Sequence, residues 1–518
     1  MEGIKNSDKK SIFASIGSVT LIMVISRLLS LVSVQVYIAF FGASDVYMNI
    51  YSYAISVPNI IFTCIGTALS TVVIPIYVEH RVANDGKADV FANNIITISM
   101  TLTAALVIIG IAVSPVLARL SGFGNNPVTY SYTVKALMMV MPVMFFYGLN
   151  YIFQGMLQSM GHYKMPAFVS VPSSCVVIAY VFLLSDRFGI TGLLIATVIG
   201  LSLQAAILIP PLVRAGYRYK FLFNLKDEDF RRACKMTLPV LAGVGAYQLN
   251  MFYNVTMISR FEAMLTLLTM VQNIALYLVL ALVYSVTAVV YPKLTERAAL
   301  KDMAGYKKLL SGIVGMTSVI LIPLTAGFIA LGRDLLDLIS RYGAMTQSDV
   351  ERAALLLCAY SIGILGFGLK EILDRAFYSL KDTKTSALTG FAIMVINILL
   401  SLILMQFLGA YGIPLAFSIA SLSGCALLMW FLRRRIGAWG SGIGATLLKS
   451  VLASAVMFAA IVVVKSFFGD TPDSVLWRAV RLFVPFFVAI AVYYTAAVAI
   501  GIEPVRELHG KLFGRKAH

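Results

Sequence analysis

The chain has 518 residues, of which 59% are hydrophobic and only 13% are charged. Soluble domains carry roughly 25% charged residues, so this composition excludes a soluble globular protein and predicts one that crosses a membrane many times. The formal net charge of +17 would suit a nucleic-acid partner, but the location of the basic residues favours a membrane topology instead.

Runs of about 20 apolar residues, the length that spans hydrocarbon as a helix, recur between short polar breaks. We expect an all-α polytopic membrane protein, because barrel strands would instead alternate in pieces of about ten residues. The fourteen predicted transmembrane helices cover residues 12–40, 46–78, 92–120, 132–160, 166–185, 190–212, 234–257, 264–292, 309–331, 352–380, 386–408, 412–432, 445–467 and 478–501.

Most of the 41 Lys and Arg fall on one side when alternate loops, starting with the N-terminus, are assigned to that side. The positive-inside rule then predicts a multi-pass plasma-membrane protein with both termini in the cytoplasm. The excess positive charge indicates orientation and attraction to anionic lipid, so we predict no nucleic-acid partner, with nucleic-acid binding as a remote alternative. The basic runs on that side are residues 220–235, 293–308, 433–435 and 506–516.

The sequence repeats itself with an offset of 220 residues. The stretch "YGLNYIFQGMLQSMGHYK" (147–164) aligns with "FGLKEILDRAFYSLKDTK" (367–384), and "FGITG" (188–192) aligns with "LGAYG" (408–412). Both copies of each stretch cross the membrane in the same direction, which predicts a parallel duplication about an axis along the membrane normal.

We therefore predict two pseudo-symmetric six-helix lobes followed by two C-terminal helices. The predicted divisions are a cytoplasmic N-terminus (1–11), an N-lobe (12–212), a basic cytoplasmic linker (213–233), a C-lobe (234–432), spans thirteen and fourteen (433–502) and a basic cytoplasmic tail (503–518).

The tenth predicted span carries four charges, Lys370, Glu371, Asp374 and Arg375. The pairs Lys370–Asp374 and Glu371–Arg375 have the i,i+4 spacing at which opposite charges meet on a helix. A lipid-facing position would be costly, so these side chains are expected to face the bundle interior or a watery cavity. Two interpretations stay open: a gate or coupling element, and a pair of static salt bridges.

Other polar residues within spans are candidates for a substrate cavity. Arg27 is the only charge of the first span and lies near its middle, which favours contact with an anion. Amides in spans are most often interhelical contacts, so for these a structural role is the alternative. The candidate cavity residues are Arg27, Asn59, Asn250, Asn254, Gln272 and Asn273.

The sequence offers no metal cluster, nucleophile motif or phosphate-binding loop. We therefore predict no catalytic residue, no metal site and no cofactor, and a transporter rather than an enzyme. A monovalent cation or the membrane potential is the predicted driving force.

Several stretches in order along the chain, "SRLLSLVSVQVYIAFFGAS", "VPNIIFTCIGTALSTVVIPIY", "LPVLAGVGAYQLN" and "GFGLKEILDRAFYSLKDTKT", resemble the MurJ (MviN) family of lipid II flippases, particularly clostridial-type members. That family belongs to the multidrug/oligosaccharidyl-lipid/polysaccharide exporter superfamily. The resemblance implies two lobes around a V-shaped cavity, a lipid-accessible groove at the two C-terminal helices, and alternating access that moves an undecaprenyl-pyrophosphate-linked saccharide during peptidoglycan synthesis, cell-wall biogenesis and the maintenance of cell shape.

The resemblance is incomplete at the arginines that the family places in its cavity. Arg27 falls on the family's first-span arginine, but Ser33, Phe62 and Asn273 stand where the resemblance places further arginines. Three alternatives to lipid II transport follow: export of another lipid-linked glycan, a cation-coupled multidrug antiporter, and a non-transporting scaffold for cell-wall synthesis proteins.

Overall fold

The computed structural model describes residues 22–23, 25–83, 86–438, 442–468 and 474–506. The predicted cytoplasmic N-terminus and most of the predicted basic tail lie outside these residues. The described chain divides into two compact units, Met1–Thr266 and Leu267–His518. Each unit is built from α-helices packed side by side.

The helices of the first unit are α1 (Ile25–Phe41), α2 (Val46–Ala83), α3 (Lys87–Leu120), α4 (Pro127–Val140), α5 (Val143–Ser159), α6 (Lys164–Phe168), α7 (Val171–Ala206), α8 (Ile209–Arg214) and α9 (Glu228–Ile258). The second unit begins within α10. Its helices are α10 (Met264–Ala299), α11 (Met303–Ser340), α12 (Gln347–Ser361), α13 (Ile364–Ser379), α14 (Thr383–Leu408), α15 (Gly412–Ile436), α16 (Ile443–Ser466) and α17 (Val475–Ile500).

The described helices agree with a polytopic protein of about fourteen spans. By length and apolar composition eight helical stretches could cross a membrane, or nine when the bent pair α12–α13 counts as one span. Two of these stretches, Lys164–Arg214 and Thr383–Ile436, are 51 and 54 residues long. Since about 20 residues suffice to cross, each accommodates the two spans that the sequence predicts there.

Several helices begin where the sequence supplies a capping group. The Asn126 side chain accepts a hydrogen bond at the start of α4, and Pro127 occupies the first helical position. Thr346 and Asp349 form a reciprocal capping box at the start of α12, and the Ser474 side chain caps α17. These groups satisfy backbone N–H groups that have no partner within the helix.

The predicted duplication is present in the backbone. Gly189 and Gly409, 220 residues apart, have nearly the same rare conformation, with φ of 53° and 56° and ψ of −148° and −135°. Only glycine adopts such a conformation without strain, so the helical stretch breaks at the same place in both copies. The halves of the fourth and tenth spans, α5 and α13, also end at equivalent positions, Ser159 and Ser379.

A close helix contact is repeated as well. A Cβ added to Gly148 would lie 2.8 Å from Thr103 Cγ2 on α3, and one added to Gly368 would lie 2.4 Å from Leu321 Cδ1 on α11. The two glycines are again 220 residues apart, and their partners belong to the third and ninth spans. The fourth span therefore packs on the third as the tenth packs on the ninth, which confirms that these spans are counterparts.

The C-terminal pair α16–α17 packs against α11 at two levels. At Val319 of α11, the backbone carbonyl accepts a hydrogen bond of 2.7 Å from the Tyr493 hydroxyl on α17. At Asp334, further along α11, the side chain forms an ion pair with Lys465 on α16. Arg478 on α17 donates 2.9 Å to the Arg341 carbonyl. Apolar side chains fill the space between these polar contacts.

The compact units do not coincide with the predicted lobes. The sequence places the division in the basic linker, whereas the first unit extends to Thr266, because α9 packs along α2. The lobe boundaries near residues 212 and 234 stay predictions.

Candidate functional site

The charged stretch of the tenth span forms one buried ion pair on α13. Lys370 Nζ lies 2.6 Å from Asp374 Oδ2, and the side chains are 21% and 8% exposed. The Ser386 hydroxyl on α14 donates a hydrogen bond of 2.6 Å to Asp374 Oδ1. The carboxylate therefore accepts two strong hydrogen bonds, one of them from a second helix, which agrees with the rule that buried charges are paired.

The predicted Glu371–Arg375 ion pair is wrong. Among the described residues, no ion pair within 4.0 Å joins these two side chains. The Arg375 guanidinium instead lies over the ring of Tyr378, 5.8 Å from its centroid. The i,i+4 spacing permits contact, but the aromatic ring three residues further along the helix offers Arg375 a competing partner.

The first copy of the repeat uses amides at the positions of this ion pair. Asn150 and Gln154 are the counterparts of Lys370 and Asp374, and Gln154 Nε2 donates to Asn150 Oδ1 over 2.9 Å. Asn150 Nδ2 donates in turn to Gln204 Oε1 on α7, 3.2 Å away. An i,i+4 polar pair tied to a neighbouring span is therefore common to both copies, and only the second copy is charged.

Arg27 lies on α1 with an exposed side chain. Its neighbour Ser26 is buried and donates a hydrogen bond of 2.9 Å to the Ala167 carbonyl, so α1 packs against α6 at this residue. Arg27 follows about 100° further round the helix, so it lies to one side of that contact. The prediction that it faces an interior cavity stays a prediction.

Asn59 connects the second and fourth spans. Its Nδ2 donates to the Tyr147 hydroxyl over 3.2 Å, and its side chain also accepts from Thr63. The ring of Phe62, which the resemblance aligns with a family arginine, is fully buried and stacks against Tyr147 with ring centroids 6.1 Å apart. The position of that arginine is therefore filled by an aromatic cluster.

The remaining candidate cavity residues differ in burial. Asn250 and Asn254 lie one turn apart on α9 and are 2% and 3% exposed. Gln272 and Asn273 on α10 are half-buried. Their contact with a substrate stays a prediction.

Sequence reasoning missed the contacts at both ends of α2. At its C-terminal end, His80 Nε2 lies 3.0 Å from Asp229 Oδ2 at the start of α9. Near its N-terminal end, the Thr266 backbone N–H donates to Asn49 Oδ1 over 3.0 Å, and the Thr266 and Ser52 hydroxyls lie 3.0 Å apart. No local pattern indicates these partners, because they are far apart in the sequence.

An apolar groove of about 470 Å³ lies in the second unit, where α11, α13, α15 and α16 meet. Its side chains are mostly aliphatic, and Phe458 on α16 lines one wall. A groove of this lining suits hydrocarbon rather than a polar ligand. The lining residues are Ile322, Thr325, Ala326, Ile329, Ile362, Leu365, Leu422, Val451, Ser454, Ala455 and Phe458.

Comparison with known proteins places this fold and sequence in one family. A family model described as "Lipid II flippase MurJ" matches residues 38–480. The chain belongs to the MurJ family. The resemblance read from the sequence motifs is thus confirmed over most of the chain, including the tenth-span stretch that carries Lys370 and Asp374.

Individual MurJ relatives are distant but cover most of the protein. The chain is 26% identical to a probable lipid II flippase MurJ from Treponema pallidum, over 82% of this chain and 82% of the relative. It is 25% identical to a protein of the same description from Rickettsia prowazekii, over 78% of this chain and 80% of the relative.

Solved structures confirm the fold. A structure of lipid II flippase MurJ in an inward closed conformation covers 95% of this chain with a TM-score of 0.80 at 22% identity. An inward-facing multidrug resistance MATE transporter covers 81% with a TM-score of 0.69 at 14% identity. The protein is therefore a multi-pass membrane protein with the MurJ fold, which it shares more loosely with MATE transporters.

Proposed function

We propose that this protein moves lipid II, the undecaprenyl-pyrophosphate-linked peptidoglycan precursor, across the cytoplasmic membrane by alternating access. The observation that carries the proposal is the match to the lipid II flippase family over residues 38–480. The proposed activity is transport and not catalysis, so it needs differential binding in two states but no reactive group.

The proposed orientation has both termini in the cytoplasm. Support comes from the basic runs at residues 220–235, 293–308 and 433–435, which lie on one side when the spans alternate. The substrate would then enter from the leaflet on the basic side.

The apolar groove at α16 is the proposed site for the polyprenyl tail. Its aliphatic lining matches a hydrocarbon chain, and four of its eleven lining residues belong to α16, one of the two C-terminal helices that a six-plus-six transporter would not contain. The polyprenyl tail would contact the apolar side chains of the groove, and the polar headgroup would bind in the interior of the helix bundle.

Arg27 is the proposed contact for the pyrophosphate. It is the charged side chain of its span, and it is exposed beside the α1–α6 contact. The amides Asn59, Asn250, Asn254, Gln272 and Asn273 are proposed to hydrogen-bond the saccharide, because amides both donate and accept.

The charged stretch of α13 is the proposed gate or coupling element. The charges of Lys370 and Asp374 compensate each other in this structure. A gate would separate the two side chains in a second state, whereas a static brace would keep them paired. The half-buried carboxylate of Glu371 is the proposed group for coupling to a monovalent cation or to the membrane potential.

Depletion in the host tests the function. If the proposal holds, lipid II accumulates in the inner leaflet after depletion, once redundant flippases have been removed, and wall synthesis stops. Complementation by Arg27→Lys but not by Arg27→Ala, at equal membrane levels, would tie the effect to the cavity. Accumulation of a different lipid-linked glycan would point to another exporter, and loss of wall-protein recruitment with normal lipid II would point to a scaffold.

A further inference from the structure

The segment that links α8 to α9 is irregular with a turn at its end, and it lies along the N-terminal part of α3. Residues 217–226, here called the strap, follow the short helix α8 and precede the N-cap of α9. They bury three polar residues of α3, Asn93, Asn94 and Thr97, which are 6%, 1% and 2% exposed. The strap is thus a fixed part of the first unit.

Specific hydrogen bonds hold the strap to α3. Asn93 Oδ1 accepts from the Tyr217 hydroxyl at 2.7 Å and from the Lys220 backbone N–H at 3.0 Å. Asn94 binds the backbone of Asn224 in both directions, accepting at 2.8 Å and donating at 2.9 Å. Burial raises the pKa of the Tyr217 phenol, so it stays a neutral hydrogen-bond donor.

The strap carries four large apolar side chains that stay exposed. Tyr219, Phe221, Phe223 and Leu225, here called the apolar row, are 46%, 78%, 46% and 52% exposed. The Tyr219 hydroxyl lies 2.8 Å from Thr97 Oγ1 on α3, so only its ring contributes to the row. A water-facing row of four large apolar side chains would be unfavourable, and such rows mark a contact surface.

The length of α3 indicates where the strap lies relative to a membrane. α3 has 34 residues, so it is about 51 Å long, and a helix of that length centred on the roughly 30 Å of hydrocarbon extends about 10 Å beyond it at each end. Asn93 to Thr97 lie about 9–15 Å from the start of α3. With α3 centred in this way, the side chains attached there would reach the level at which headgroups meet acyl chains.

Basic residues accompany the apolar row. Arg218, Lys220 and Lys226 are exposed, and they alternate with the apolar side chains along the strap. Aromatic side chains are enriched at the level of the lipid headgroups, where one part of the ring is apolar and the surroundings are wet. Lys and Arg near the surface attract anionic lipid.

We propose that the strap is an interfacial anchor that inserts Phe221 and its apolar neighbours between headgroups and recruits anionic phospholipid through Arg218, Lys220 and Lys226. The proposal rests on the proposed orientation, which makes this leaflet the cytoplasmic one. Anionic lipid recruited by the strap would lie beside the N-terminal part of α3.

A fluorescence experiment tests the insertion. Phe221→Trp is introduced into the full chain after Trp430, Trp439 and Trp477 have been replaced by Phe, and the protein is reconstituted in vesicles with brominated acyl chains. We expect the new tryptophan to lose most of its emission relative to vesicles without bromine. The matched control is Leu300→Trp, a residue that is 71% exposed just beyond the end of α10 and lacks an apolar row; it should be quenched little.

The second arm tests the lipid class. In phosphatidylcholine vesicles with a minor brominated component, brominated phosphatidylglycerol should quench Phe221→Trp more than the same fraction of brominated phosphatidylcholine. Changing Arg218, Lys220 and Lys226 to Gln should abolish that difference. Changing Lys301, Lys307 and Lys308 to Gln removes the same charge elsewhere and should preserve it.

Each outcome decides one point. Absence of quenching at Phe221→Trp overturns the proposal and leaves a soluble protein partner as the occupant of the row. Equal quenching by the two headgroups overturns the recruitment of anionic lipid. Labelling of Lys226→Cys, in a chain without other cysteines, by a reagent confined to the cell exterior would refute the orientation while leaving the lipid contact intact.

Discussion

Removing the Asp374 carboxylate should destabilise the second unit strongly. Asp374 is 6% exposed and accepts hydrogen bonds from Lys370 and Ser386, each at 2.6 Å. Asp374→Ala leaves the Lys370 ammonium buried without its partner, and breaking a buried pair in this way costs about 3–5 kcal/mol. Ser386→Ala removes only a hydrogen bond to a charged group, so its cost should be about 1.5–3 kcal/mol.

The assay is a double-mutant cycle on the free energy of unfolding, measured by titration from mild into denaturing detergent. Replacing both partners, Lys370→Met with Asp374→Leu, removes the charges together and should be far less harmful than Asp374→Ala alone. The reasoning is refuted if Asp374→Ala costs less than Ser386→Ala, or if the double variant costs as much as the sum of Lys370→Met and Asp374→Leu measured singly.

The same pair can be tested as a gate. Exchanging the charges, Lys370→Asp with Asp374→Lys, should restore complementation that either single change abolishes. A cysteine at Leu365, which lines the groove, should then react with a cytoplasmic thiol reagent at a rate that depends on membrane potential; an invariant rate leaves only a static brace. Gly366 is unsuitable for this probe, because an added Cβ would lie 2.6 Å from the backbone nitrogen of Leu422.

Three further predictions concern the repeat and the cavity. Gly368→Ala should lower the free energy of unfolding by about 1–3 kcal/mol, because the new Cβ would lie 2.4 Å from the buried Leu321 side chain; Gly390→Ala, where no atom lies within 4 Å of the new Cβ, is the control and should be neutral or slightly stabilising in the same titration. Asn150→Ala should cost about 1–3 kcal/mol, since it removes the partner of Gln154 Nε2 and of Gln204 Oε1; an unchanged unfolding midpoint would contradict this bridging role of Asn150. Arg27→Ala should abolish complementation at unchanged membrane level, and growth at the wild-type rate would exclude its contact with the pyrophosphate.

The sequence predicted the features that depend on composition and on offsets within the chain. A charge in an apolar span is conspicuous, and helical spacing alone brings Lys370 next to Asp374. The 220-residue offset is visible in the amino-acid sequence. Gly189 and Gly409, which are separated by that offset, also have similar backbone conformations.

The sequence did not predict contacts between distant helices. Ser386 resembles any other hydroxyl at the start of a span, and only packing shows that it donates to Asp374. Asn94 likewise resembles any polar residue near the start of a span, and only the structure shows that it binds the strap. Glu371 and Arg375 have favourable spacing, yet Arg375 contacts an aromatic ring instead, because side-chain packing and not periodicity decides between two neighbours.

The two levels at which the C-terminal pair is attached to α11 have a mechanical consequence. Val319 and Asp334 are separated by about 22 Å along the helix axis, and each is bonded to the same two-helix hairpin. A tilt of about 10° around Val319 would displace Asp334 by about 4 Å, which is enough to break its ion pair with Lys465. A tilt of α11 that keeps both attachments therefore has to carry α16 and α17 with it, whereas the 41° joint between α12 and α13 lies outside this three-helix group.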